Sequence, residues 1–308
     1  MRKPAPCATS FAPQCHDACA VKARPQWQTD GTDWPNRSAS QFVEASGFTW
    51  HVQKMGAGPV LLLIHGTGAA THSWRALAPL LAKQFEVVAI DLPGHGFTEA
   101  PPRGAYSLLQ MATSLAALLD VLGVAPDYVA GHSAGAAIAI RMAIDRRIIP
   151  RRIIGLNGAL MLFPGWAALA FPVLAKVLFL NPFAAPFLAW RACDPKAVER
   201  LIVGTGSVLD AEGLELYARL FRTRRHVAAA VGMMANWDLL ALNRDLPGLT
   251  VPLTLVTADR DRAVPPRDAG AIARIVANTR IILVTGFVHL AHEEAPELFA
   301  DIIAEAAR

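Results

Sequence analysis

The chain has 308 residues, 53% hydrophobic and 18% charged, which excludes a disordered chain and gives enough apolar side chains for a large core without staples. Its 29 Lys and Arg against 25 Asp and Glu leave a net charge of +4, with no dense basic array interleaved with aromatics. Nucleic acid is therefore excluded as a partner, and the mild positive balance suits an anionic ligand or a membrane surface. Cys7, Cys15 and Cys19 lie in the first twenty residues and Cys193 far from them; even with His16 beside Cys15 the spacing matches no closed four-ligand pattern, so no metal and no organic cofactor is expected. Nothing in the cysteine usage argues for an oxidising compartment. Met1–Pro6 lead into no apolar core of signal-peptide length, so a cytoplasmic protein, with scope for membrane association, is expected.

In chain order, residues 1–40 are rich in Pro, Ala, Ser, Thr and Asp without a sustained period and read as a mobile arm, ordered at most around Trp34–Arg37. Phe48–Gln53 alternates and ends at Gly56-Ala-Gly-Pro59, the pattern of an antiparallel edge strand. Val60–Ile64 is a continuous apolar run, as for a strand buried on both faces, and it ends in His65-Gly-Thr-Gly68. Trp74, Leu77, Leu80 and Leu81 follow at helical spacing, then a strand at Glu86–Ile90 and a turn-rich Asp91-Leu-Pro-Gly-His-Gly96. Ser107 caps an amphipathic helix running to Leu122. A strand at 127–130, a glycine-flanked turn, a helix to Ile144 and a strand at Ile153–Leu156 complete the first half.

From Asn157 to Trp190 the only charge is Lys176, and prolines 164, 172, 182 and 186 break the run. Those breaks argue against a membrane span and for short apolar helices over a site. Residues 158–238, with Arg222, Arg224 and Arg225 clustered near their end, read as an inserted helical cap supplying the apolar wall of a pocket. Alternation then resumes: a strand at Leu253–Thr257, a helix at Asp268–Val276, a strand at Arg280–Thr285 and a helix from Glu293 to the end. Strands alternating with helices predict an α/β fold, a mainly parallel eight-stranded sheet with helices on both faces, formed by 41–157 and 239–308. His65, Asp91 and Ser133 fall at strand carboxyl ends, where such sheets bind ligands.

Gly131-His132-Ser133-Ala134-Gly135 sits between strand and helix, the context a nucleophile elbow requires. A serine hydroxyl needs a base in reach and a carboxylate to orient that base. Asp261, opening Asp-x-x-Val-Pro265 after a strand, is preferred as the acid over Asp259, which reads as a solvated or turn-capping residue. His289, directly after a strand and its glycine turn, is preferred as the base over His292, which reads as a surface or helix-capping residue. The backbone N–H groups of Thr67 and Ala134 are the candidate oxyanion donors. His65, His95 and His132 read as residues that organise loops.

His65-Gly66, Asp91-Leu-Pro-Gly-His-Gly96, Gly131-x-Ser133-x-Gly135, Asp261-x-x-Val-Pro265 and Gly286-x-x-His289 together resemble the α/β-hydrolase superfamily from about residue 45 to the end. The serine at the elbow separates the chain from epoxide hydrolases and haloalkane dehalogenases, which carry Asp there. Asp33–Arg37, Trp50–Gln53, His65–Ala69 with Thr71–Arg75, Asp91–Thr98, Gly131–Ala136, Asn157–Ala159 and Gly232–Ala235 with Trp237-Asp238 are similar to the magnesium-chelatase accessory (BchO) family of bacteriochlorophyll synthesis. That resemblance implies work beside magnesium insertion into a porphyrin, with chelatase subunits as partners and a small lipophilic substrate, a tetrapyrrole among the candidates, whose propionates the cap arginines would meet. The residues leave three readings open: a serine hydrolase of ester, thioester or amide bonds; a porphyrin-binding or chelatase-assisting protein with secondary catalysis; and an unrelated carboxylesterase or lipase-like enzyme.

Overall fold

The computed structural model describes residues 21–101, 105–162 and 167–308. The chain enters through a short helix, α1 (Trp27–Asp30), and the hairpin β1 (Ser40–Ala45) and β2 (Phe48–Met55). Then follow β3 (Val60–Ile64), α2 (Leu77–Leu81), β4 (Glu86–Ile90), α3 (Leu108–Leu122), β5 (Tyr128–His132), α4 (Ala134–Ile144) and β6 (Arg152–Leu156). Between β6 and the next strand lie α5 (Ala167–Leu180), α6 (Ala184–Arg191), α7 (Pro195–Gly204), α8 (Ala211–Phe221), α9 (Arg224–Ala235) and α10 (Leu239–Asp245). The chain closes with β7 (Leu253–Ala258), α11 (Arg267–Ile275), β8 (Thr279–Val284), α12 (Ala291–Glu294) and α13 (Pro296–Ala306).

The eight strands form one sheet in the order β1-β2-β4-β3-β5-β6-β7-β8. The β1–β2 and β2–β4 pairings are antiparallel and the rest parallel. Alternation along the central strands is strict. Leu62, Ile64, Val88, Ile90 and Val129 pack with α3, α4, α10 and α11 on one face. Leu61, Leu63, Val87, Ala89 and Ala130 pack with α2 and α13 on the other. A strand covered by helices on both faces has no polar side to show, so β3 reads as an unbroken apolar run. Ser107 caps α3 with a reciprocal capping box through Gln110, as its position before the periodic stretch predicts.

Three local expectations are corrected. The sheet edge is Ser40–Ala45, not Phe48–Gln53: Ser46 and Gly47 adopt φ of 56° and 81°, a two-residue turn that folds β1 back on β2. The last helix is divided, because Pro296 pushes Ala295 out of the helical region (φ −138°) and separates α12 from α13. Residues 21–39, included in the expected mobile arm, are packed. Trp34 is buried and donates from Nε1 to Thr71 Oγ1 (3.0 Å). Trp27 and Trp34 meet Phe97 edge-on, and Asp33 pairs with Arg219 of α8. The rest of the arm, with Cys7, Cys15 and Cys19, lies outside the described residues.

Candidate active site

The turn around Ser133 is one that its flanking glycines make sterically possible. Between β5 and α4, Ser133 adopts φ 50° and ψ −114°, a region rarely entered by a residue with a Cβ. The reversal brings backbone against backbone. A Cβ on Gly135 would lie 2.1 Å from Ile64 O, and one on Gly131 would lie 2.5 Å from Ala136 N. Both glycines are therefore obligatory for the turn. Ser133 is fixed by its own backbone: its N–H donates to Leu156 O (3.0 Å), and its carbonyl accepts from Ala136 and Ala159. With the main chain held on three sides, the hydroxyl projects into a cavity.

His289 follows β8 and lines the same cavity. Its Nδ1 donates to Asp261 Oδ2 at 2.8 Å. Asp261, buried after β7, accepts the Ala263 and Val264 N–H groups on its other oxygen (2.7 and 2.8 Å), so its own loop helps hold the carboxylate toward His289. The His289 backbone is clamped as well. Its carbonyl accepts from Asn157 Nδ2 (2.9 Å) and His132 Nε2 (3.0 Å). Asn157 reaches across from the end of β6, also donating to Val288 O and accepting the Ala258 N–H. Ser133 and His289 line the same cavity, and among the described residues no hydrogen bond joins the Ser133 hydroxyl to His289.

The loop after β3 carries the candidate oxyanion donor Thr67. His65 pins it, donating from Nδ1 to Gly66 O (2.7 Å) and accepting the Leu92 N–H on Nε2 (2.9 Å). On the far side, His226 of α9 donates from Nε2 to Gly68 O (3.0 Å) and accepts the Gly96 N–H on Nδ1 (3.2 Å). Burial holds His226 down at about 4, in the neutral form that makes both bonds. Burial would raise the Asp91 carboxyl, but His51 and the Phe97 N–H beside it bring it below the ordinary carboxylate range. Among the described residues, no protein acceptor takes the Thr67 or Ala134 N–H. Both lie beside Ser133, one from the loop and one from the first residue of α4.

The cavity measures about 670 Å³, within the range of small-molecule sites. Its floor is Gly66–Ala69, His132, Ser133 and His289. Its walls are apolar residues of α6, α7, α8 and α9, among them Phe187, Leu201, Phe221 and Met234. Among the described lining residues the cation is Arg191 and none is acidic. Arg222, Arg224 and Arg225, which the resemblance would bring to a tetrapyrrole's propionates, do not line the cavity, and Arg222 pairs with Glu215. Among the described residues, no group of three His, Cys, Asp or Glu is placed to hold a metal ion.

The sequence profile of the Alpha/beta hydrolase family matches residues 61–302. The chain belongs to the α/β-hydrolase family. It is 38% identical over 273 residues to the magnesium-chelatase 30 kDa subunit of Rhodobacter capsulatus, spanning 88% of this chain and 95% of that one. Among solved structures, Cfl2 of Burkholderia cenocepacia is similar at TM-score 0.73 and 23% identity, covering 87% of this chain and 95% of that one. The epoxide hydrolase VrEH1 of Vigna radiata is similar at TM-score 0.72 and 23% identity, covering 87% and 96%. At that identity the two structures establish the shared fold.

Several polar residues of this α/β-hydrolase had no sequence signal. His292, read as a surface residue, is buried; its Nε2 meets Ser73 Oγ at 2.9 Å, and burial brings it down to about 3. Ser73 in turn donates to Glu293, which also accepts from Tyr217 (2.7 Å) and Arg75. This cluster ties α12 and the segment before α2 to Tyr217, which lines the cavity. Asp259 is exposed and accepts the Gly286 N–H (2.7 Å), holding the turn after β8 as expected of a turn residue. His95 is buried in a loop and donates to Pro93 O, and His132 is buried at the end of β5. His226 and Asn157 were not foreseen, because the atoms they bond are more than a hundred residues away.

Proposed function

We propose that the protein is a serine hydrolase acting on an ester, thioester or amide of a lipophilic small molecule. The observation carrying this reading is the strained Ser133 elbow opening into the same cavity as an Asp261-bound His289. Ser133 Oγ attacks the carbonyl carbon as His289 Nε2 takes the hydroxyl proton, and the carbonyl π electrons move to oxygen. The Thr67 and Ala134 N–H groups stabilise that oxyanion. When the carbonyl re-forms, the leaving group departs with the proton from His289, leaving an acyl-serine. Water, deprotonated by His289, then releases the acid and restores the serine. Asp261 holds the ring and offsets its positive charge. Residues 158–238 act as a cap whose apolar walls select a lipophilic substrate.

Similarity to a protein named magnesium-chelatase 30 kDa subunit supports a reading in which this chemistry works beside magnesium insertion into a porphyrin, in association with chelatase subunits. A tetrapyrrole carrying a free carboxylate would present that group to Arg191 at the cavity wall. A fluorophosphonate probe is expected to label wild type and not Ser133→Ala; equal labelling of the variant overturns the nucleophile assignment.

The relative's name also favours a second reading, in which the fold assists the chelatase and catalysis is secondary. Complementation separates the two: Ser133→Ala restoring pigment synthesis as fully as wild type in a strain lacking the gene establishes the assisting role.

A further inference from the structure

The end of α5, Leu174–Leu180, and helix α6 carry large apolar side chains on the outside. In α6, Ala189 is fully buried and Ala184 nearly so, while Phe187 and Trp190, with Phe183 just before the helix, are 57% to 78% exposed at i, i+4 and i+7. In α5, Ala175 is buried, while Leu174, Val177 and Leu180 are 57% to 71% exposed. A helix on a soluble surface ordinarily turns its large apolar residues in and its small or polar ones out. Here Leu178, Phe179 and Leu188 turn inward, yet large apolar residues also occupy the outer face of two consecutive helices, both of which pack on α9. Single exposed apolar residues such as Ile149 and Leu240 are ordinary on a protein surface.

Charge says what covers this face. No acidic residue occurs between Asp145 and Asp194, and within α5 and α6 the charges are Lys176 and Arg191. An apolar surface with cations and no acids in it complements an anionic lipid headgroup layer over an acyl interior. The patch is also continuous with the cavity: Phe187 is exposed on the outside and lines the inside, and Arg191 and Leu201 do the same.

We infer that α5 and α6 dock the protein on the surface of a bilayer containing anionic phospholipid, with the aromatic side chains of Phe183, Phe187 and Trp190 in the interfacial region. The cavity then opens toward the lipid, and an apolar ligand passes from the acyl region to the cavity without crossing water. This is peripheral contact: among the described residues no helix is long and apolar enough to cross a membrane. The inference stands apart from the chemistry assigned to Ser133.

The test is co-flotation of the full chain with vesicles of equal parts phosphatidylcholine and phosphatidylglycerol, against vesicles of phosphatidylcholine alone. Wild type is expected to float with the anionic vesicles and less with the neutral ones. The triple exchange Leu180→Ser, Phe183→Ser and Trp190→Ser is expected to lower partitioning by roughly tenfold or more with thermal unfolding unchanged, since exposed side chains leave no void when shortened. Lys176→Glu is expected to weaken binding to the anionic vesicles and leave the neutral ones alone. If the triple variant does not fold, the single exchanges Phe183→Ser and Trp190→Ser carry the same reading. Wild type staying with the aqueous layer, or the variants floating like wild type, overturns the inference. Wild type that ignores vesicles but binds chelatase subunits through these residues assigns the face to a protein partner and overturns it equally.

Discussion

Asn157 Nδ2 lies 2.9 Å from the carbonyl oxygen of His289, 132 residues later in the chain. One side chain at the end of β6 therefore fixes the backbone of the residue assigned as general base, while its Oδ1 is held by Ala258 at the end of β7. Asn157 sits at φ 45°, a conformation that asparagine tolerates better than most residues.

Asn157→Ala removes two donors and an acceptor from a buried loop and is expected to destabilise the fold by about 2 kcal/mol. Asn157→Asp is expected to be worse for activity, since it sets a carboxylate against the Val288 and His289 carbonyls with no proton to offer. Rates of probe labelling at Ser133, read beside urea midpoints, check the order wild type above Ala above Asp. An Asp variant as fast as wild type refutes the clamp.

Asp261→Asn keeps the size of the side chain but removes the charge that holds and balances His289. The expected loss in turnover or labelling rate is about a thousandfold or more, with the fold retained. Asp259→Asn is expected to leave the rate within about twofold, because Asp259 is exposed and bonds only a turn N–H. Reversed sensitivities transfer the acid role to Asp259.

Gly135→Ala introduces a Cβ 2.1 Å from Ile64 O, in a region where both partners are backbone. Loss of soluble, folded protein is expected. Gly123→Ala serves as the contrast: it has open space around it, so its penalty is confined to its φ of 63°, about 1 kcal/mol. Thermal unfolding of the two variants measures the difference.

His226 ordinarily titrates at 6.5 and is held at about 4 by burial in the fold. A depressed folded value means the unfolded chain binds the proton first. The stability from neutral His226 is therefore full above pH 6.5 and is lost as pH falls toward 4. From pH 7.5 to pH 5 this one group removes roughly 2 kcal/mol. His226→Gln is expected to be less stable at neutral pH, lacking the paired bonds to Gly68 and Gly96, and to show a shallower decline with acid. Denaturant midpoints at several pH values read both effects; an unchanged slope in the variant assigns the decline to other buried histidines such as His292.

Much of the fold was legible because strands and helices write their environment into a local period. The apolar runs at 60–64 and 86–90 mark strands covered on both faces, and Ser107 ahead of an amphipathic run marks a helix start. The elbow was legible from its Gly-x-Ser-x-Gly pattern, although only Gly131 answers a clash within the turn and Gly135 answers one with Ile64 on a neighbouring strand. The first strand, Ser40–Ala45, was hidden because only one of its six residues is fully buried, so its sequence carries little apolar pattern. His292 was misjudged because its burial depends on Ser73 and Trp74, more than two hundred residues away.

By itself the sequence determined the kinds of residue available, their order Ser133, Asp261, His289, and the strand ends on which they fall. These follow from interactions a few residues long, which any stretch of chain carries with it. The tertiary structure decided which acid meets which histidine, which histidines are buried and neutral, and which arginine reaches the cavity. Those outcomes depend on the parallel register of β5, β6, β7 and β8, which sets Asn157, Asp261 and His289 side by side. They depend equally on the packing of α9, which carries His226 onto Gly68. Hydrogen bonds spanning more than a hundred residues form only when the sheet and the helices above it are assembled.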